Sequence, residues 1–126
     1  MYNLIIDVVN KIVFIELLGS LAYDQIKSYV SDLHKITDRH ETKLYSMLIM
    51  ANRLDPLSQN NLPHFQEAIE IALSWADKIA VVNGNRTLTL IQMKRIESEA
   101  RKLVNKDIKI MRYKSKNDAL KYILSK

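Results

Sequence analysis

Residues 44–51 read LYSMLIMA, and the fold turns on how this stretch is interpreted. It is a short, nearly continuous apolar run, too short for a helix and without the alternation of a strand wetted on one side. A strand covered on both faces fits it. Its flanks agree. Upstream, Ile26, Tyr29, Val30, Leu33 and Thr37 recur at steps of three and four, which predicts an amphipathic helix from about Leu21 to His40. Downstream, Asn60, Asn61, Leu62 and Pro63 open a second helix, with Pro in the first turn and Phe65, Ala68, Ile69, Ala72 and Ala76 as its apolar side. A buried strand between two helices belongs inside a parallel sheet.

Working outward, the same alternation of elements continues. KIAVV at residues 78–82 is a second buried-type strand, ended by Asn83, Gly84 and Asn85. A third helix starts at about Thr87, with Leu90, Ile91, Met93, Ile96, Ala100, Leu103 and Val104 on its apolar side. Asp107 to Tyr113 alternates as a strand, and Ser115 with Asp118 makes a capping box for a last short helix through Leu124. Towards the start, Tyr2 to Val9 and Ile12 to Leu18 are two β-rich runs separated by Asn10 and Lys11, which predicts a hairpin. The resulting order is β-β-α-β-α-β-α-β-α. It specifies an α/β protein with a mixed, mostly parallel five-stranded sheet and about four helices. No linker or internal repeat interrupts it, so residues 1–126 are expected to form a single domain.

Composition removes several classes of function. The chain has 126 residues and no Cys, so disulfides, thiolate metal sites and Cys nucleophiles are excluded together. Only 2 Gly, at positions 19 and 84, leave no phosphate-cradling or dinucleotide-binding loop. No apolar run near the start approaches the ~20 residues of a membrane span, and Met1-Tyr2-Asn3 lacks the basic region of a signal peptide. A cytoplasmic location is the expectation. The net charge of +5 is unevenly distributed. Residues 1–85 carry 7 Lys plus Arg and 10 Asp plus Glu, or −3, whereas residues 86–126 carry 12 and 4, or +8.

Four stretches carry a resemblance to a known family: residues 15–21 (IELLGSL), continued by residues 23–26, residues 80–84 (AVVNG), residues 110–113 (IMRY) and residues 119–124 (ALKYIL). With the element order, they resemble STAS domains (sulfate transporter and anti-sigma factor antagonist), most closely the SpoIIAA-like bacterial branch. The resemblance implies a non-enzymatic bacterial interaction module, regulatory through docking of a protein partner. The alternative is a binder of a small anionic or lipid ligand at the carboxyl ends of the strands. Phosphorylatable members of the family carry a serine at a helix N-terminus after the third strand. Here that segment is Leu54-Asp55-Pro56-Leu57-Ser58-Gln59-Asn60-Asn61. Ser58 is the only hydroxyl in it, no Gly follows, and Pro56 alters the local path, so a solvated loop serine is preferred over a phosphoacceptor.

Without Cys, metal or catalytic chemistry would have to rest on the three His. His34, Asp38 and Glu41 fall at i, i+4 and i+7 on the helix side opposite Ile26, Val30 and Leu33, where charges are simply solvated. No metal site, catalytic residue or cofactor is assigned. The better candidate is the crevice beyond the carboxyl ends of the strands, where parallel sheets usually bind ligands. Ser58, Asn83, Asn85, Arg86, Thr87, Lys114 and Lys116 are the residues expected there. Arg86 and Lys114 are positioned by the reading to face an anion, and Thr87 to cap the third helix. Turn and cap chemistry explains the Asn, Gly and Thr equally well.

The basic third also includes Lys94, Arg95, Arg101 and Lys102 on one helix, and Lys106, Lys109 and Arg112 beyond it. Glu97 lies four before Arg101 and Glu99 three before Lys102, which is ordinary helix pairing. Lysines on the last strand would also protect a sheet edge. Few aromatics interleave, so nucleic acid is not favoured; an acidic protein or anionic lipid is, and a homo-oligomer is left open.

Overall fold

The computed structural model describes residues 1–104 and 108–125. Five strands form one sheet in the order β1-β2-β3-β4-β5: β1 (Tyr2–Asp7), β2 (Ile12–Gly19), β3 (Ser46–Leu54), β4 (Ile79–Asn83) and β5 (Ile110–Tyr113). The first pair is antiparallel and the other three pairs are parallel. Four α-helices, α1 (Tyr23–Arg39), α2 (Leu62–Trp75), α3 (Thr87–Leu103) and α4 (Lys116–Leu124), alternate with the strands, and a short 3-10 turn (Gln59–Asn61) leads into α2. This is the expected α/β class and order. The start of the expected last strand, at Asp107, and Lys106 lie outside the described residues.

Spatial order follows sequence order, so each crossover steps the same way along the sheet. Crossovers of one hand then place α1, α2 and α3 on one face. Val13, Ile15, Leu17, Met47, Ile49, Ile79 and Val81 point to that face and pack with Ile26, Leu33, Phe65, Leu73, Met93 and Ile96 in the main core. Trp75 sits there as well, stacked 5.8 Å from Tyr45 and donating its indole N–H to the His40 carbonyl at 3.1 Å. Among the described residues, the opposite face has only α4, whose Ala119 and Ile123 cover Ile12, Leu48, Ala80 and Val82. Interior strands buried on both faces explain why residues 46–51 and 79–82 lack alternation; Leu44, expected in the strand, precedes β3 and is exposed.

The first hairpin is longer than expected. β1 stops at Asp7 opposite Ile12, so residues 8–11 form the turn instead of Asn10 and Lys11 alone. The Asp7 carboxylate accepts the Asn10 backbone N–H at 3.0 Å and its side-chain amide at 2.9 Å, and Lys11 takes a left-handed φ of 59°. Those bonds stabilise the carboxylate form and hold the Asp7 carboxyl below its usual range. Among the described residues, no helix is long and apolar enough to cross a membrane.

Candidate functional site

The carboxyl ends of β2 to β5 meet the loops that open α1, α2, α3 and α4. Gly19 leaves β2 in the left-handed region, with φ +63°, a conformation that costs a side-chain-bearing residue free energy. Its carbonyl accepts the Asp55 N–H at 3.0 Å. Asp55 joins three loops. Its side chain accepts from the Ser20 hydroxyl at 3.1 Å and forms an ion pair with Arg86. On α3, Gln92 clamps Leu57 at both backbone groups, at 2.8 and 2.9 Å, and the Thr89 hydroxyl donates to the Leu54 carbonyl. The loop between β3 and α2 is therefore fastened to α3.

Beside this framework, Asn83, Gly84, Asn85, Leu90, Lys94, Arg112, Tyr113 and Lys114 line a crevice of about 240 Å³. Gly84 is required by close approach, since a methyl group there would run into the Asn52 carbonyl oxygen. Arg112 crosses the floor. It pairs with Glu97 of α3 and donates to Asn83 Oδ1 at 3.1 Å, leaving the Asn83 amide N–H groups for other partners. Glu97 is buried, and the pair is the one charged contact fixing α3 to β5 among the described residues. Burial lowers the Arg112 pKa from its ordinary value. Lys94 and Lys114 are exposed at the rim, and neither has a hydrogen-bond or ion-pair partner among the described residues. The crevice is thus a cationic recess with amide donors. A carboxylate, phosphate or sulfate group is the complementary ligand chemistry.

The expected site residues do not converge on one place. Asn83, Asn85 and Lys114 line the crevice. Arg86 does not face Lys114; it is held by Asp55 and lines a smaller recess with Asn52, Gly84 and Thr89. Thr87 is the first residue of α3 rather than its cap, which is Arg86, without a side-chain cap bond. Ser58 caps the 3-10 turn, exposed and without a side-chain cap bond. Lys116 lies elsewhere. It begins α4 with its ammonium 5.4 Å from the centre of the Phe14 ring, on the α4 face of the sheet.

Lys94, Arg112 and Asp55 were not among the expected site residues. For Arg112 a signal existed: it sits at an inward position of an alternating strand, and Glu97 is four residues after Met93 on the apolar side of α3. Two opposite charges at core positions imply a buried pair. The partnership of Arg86 with Asp55 spans a whole crossover, α2 and β4, and leaves no local trace. His34 Nε2 lies 3.4 Å from Glu67 Oε1, and no group of three metal-ligating side chains forms among the described residues.

A five-stranded sheet with one antiparallel edge, three helices on one face and a single C-terminal helix on the other is a SpoIIAA-like, or STAS-like, fold. Among solved structures, the chain is similar to an uncharacterised protein of the DUF3478 family with a SpoIIAA-like fold from Shewanella loihica PV-4. That match has a TM-score of 0.70 at 13% identity and covers 98% of this chain and 92% of the other. It is also similar to the anti-sigma factor antagonist SpoIIAA in its unphosphorylated form, with a TM-score of 0.60 at 11% identity over 98% and 97% of the two chains. No protein-family model and no curated protein sequence matches it. At these identities the likeness establishes the fold.

Proposed function

We propose that the chain is a non-enzymatic regulatory interaction module of the bacterial cytoplasm, and that it docks an acidic protein partner at the carboxyl ends of β4 and β5. The observation that carries this reading is the cationic crevice with unpaired Lys94 and Lys114 on its rim. It is continuous with an apolar stripe on α3. Leu88 and Ile91 are each 57% exposed, Ile91 neighbours Lys94 at i,i+3, and Leu88 neighbours Ile91 in the same way, so an exposed apolar row leads along α3 to the rim. Apolar anchors beside cations suit a protein surface better than bulk solvent. The likeness to SpoIIAA, itself an anti-sigma factor antagonist, supports a docking role. Ser58 and Asn85 flank the same end of the sheet and would lie near the contact.

The test is capture on the immobilised chain, with the double variant Lys94→Glu/Lys114→Glu as comparison. A specific partner retained by the wild type and lost from the charge-reversed chain is expected. Equal retention by both would refute an acidic contact at this site.

The second reading is a small anion or anionic lipid headgroup in the crevice, favoured by its volume of about 240 Å³ and the convergence of Lys94, Arg112 and Lys114. Amide chemical shifts recorded with inorganic phosphate, and with phosphatidylserine or phosphatidylcholine vesicles, test it. Movement confined to Asn83, Asn85 and Lys114 supports this reading, and no movement with any of the three removes it.

A further inference from the structure

The two edges of the sheet are built differently. β5 has four residues flanked by Lys109 and Lys114, with Arg112 within it, the usual means of discouraging edge pairing. β1 has six residues, YNLIID, with no Lys, no Pro and no bulge, and a single charge at its end. Ile5 is 63% exposed on one face of it and Ile6 37% on the other. On the α4 side, where α4 buries Ile12 but leaves β1 and the rest of β2 more open, Asn3, Ile5, Phe14, Glu16, Met50 and Lys116 line an open groove of about 490 Å³.

The hydrogen-bonding phase of the free edge can be read from its inner partner. Met1 N donates to Leu18 O and Leu18 N to Met1 O, both at 2.8 Å, so these two residues form a hydrogen-bonded pair. Antiparallel ladders alternate. Asn3, Ile5 and Asp7 therefore bond inward to Glu16, Phe14 and Ile12, and the N–H and C=O groups of Tyr2, Leu4 and Ile6 point out at the open edge.

We propose that this edge pairs with the β1 strand of a second copy of the chain, antiparallel about a two-fold axis at Leu4. In that register Leu4 faces Leu4 of the second copy, and Tyr2 faces Ile6. Each such pair exchanges both N–H···O bonds, and side chains on each face stay on that face. Asn3 then lies opposite Ile5. A cross-strand row runs from Glu16 through Asn3 of one copy to Ile5 and Phe14 of the other, where Lys116 covers the ring. The two-fold axis makes the neighbouring row its reverse, so each row carries Glu16 at one end and Lys116 at the other, and like charges do not meet across the seam. The two grooves become continuous across it. This dimer is independent of the crevice at β4 and β5, at the far side of the sheet.

Sedimentation velocity over a concentration series, combined with cysteine crosslinking, tests the proposal on the full chain, which has no Cys of its own. The wild type is expected to show dimer at about tens of micromolar. Ile5→Lys changes an exposed side chain and should raise the dissociation constant by roughly tenfold or more while the far-ultraviolet circular dichroism stays unchanged. Oxidised Leu4→Cys should yield a covalent dimer, because paired Cα atoms about 5.5 Å apart suit a disulfide. Ile6→Cys should yield none, since Ile6 meets Tyr2 rather than itself. A wild type that stays monomeric at these concentrations, a dimer insensitive to Ile5→Lys, or equal crosslinking at Leu4 and Ile6 would overturn it.

Discussion

The two ends of the sheet solve the problem of an edge strand by different chemistry. At the β5 end, charge is dense and is used at two depths: Arg112 is buried with Glu97, while Lys94 and Lys114 remain at the rim. At the β1 end, the strand is nearly free of charge and apolar residues are left open on both faces. Of residues 86–126, which carry the +8, the α3 and β5 part lies at the β5 end of the sheet, whereas α4 crosses back over β4 and β3 and takes Lys116 to Phe14 of β2. The difference teaches that the +8 segment is not a uniform basic surface. Part of it holds α3 to β5, while Lys94 and Lys114 stand exposed at the rim of the crevice.

The largest expected effect breaks the buried part of this arrangement. Arg112→Met should leave Glu97 buried without its counter-charge and lower unfolding free energy by about 3–5 kcal/mol in urea titrations. Replacing Glu97 and Arg112 together with Leu should cost much less, because no lone charge remains. If the single and double changes cost the same, the pair does not fix α3 to β5.

Next in size is Gly84→Ala. The added methyl meets the Asn52 carbonyl, and displacing the backbone should cost about 1–3 kcal/mol and disturb the crevice walls. Equal thermal stability of wild type and variant would show that the loop has slack.

How far these features could be read from sequence depends on whether their cause is local. The interior strands were legible because burial on both faces writes itself as a continuous apolar run, and α2 because Pro63 and the spacing from Phe65 to Ala76 are local. The hairpin was misjudged at its tip: Val8 and Val9 have strand-forming side chains, yet they sit in the turn, 58% and 89% exposed. The crevice was half legible. Asn83, Asn85 and Lys114 were found through turn chemistry and position at strand ends, whereas the capture of Arg86 by Asp55 depends on three loops meeting. Lys116 was misplaced because a residue after the last strand can turn to either face, and α4 takes it to Phe14.

A pH effect sharpens the contrast from the β1 side. Tyr2 donates to Asp32 at 2.7 Å, and its hydroxyl is pushed up to about 12, first by burial and then by the carboxylate it faces. Burial raises Tyr29 as well. Both groups are raised in the fold, so their contribution is complete below pH 10 and is lost as pH climbs through the folded values. Unfolding free energy should fall between pH 10 and 12, and Tyr2→Phe should flatten part of that decline. An identical alkaline profile in the variant would contradict this.

The smallest effect is at the surface. Arg86→Ala removes a partly exposed ion pair with Asp55 and should change stability by about 0–1 kcal/mol, less at high salt. A larger loss would mean that Asp55 organises the loops more firmly than an exposed pair can.

The claim that the two ends of the sheet serve different contacts is tested most directly by photo-crosslinking in a lysate of the source, with the crosslinker placed at Ile5 in one sample and at Asn85 in the other. The account predicts self-crosslinks from Ile5 and a crosslink to a different protein from Asn85, the latter lost with Lys94→Glu/Lys114→Glu. Self-crosslinks from Asn85, or the same partner captured from both positions, would contradict it.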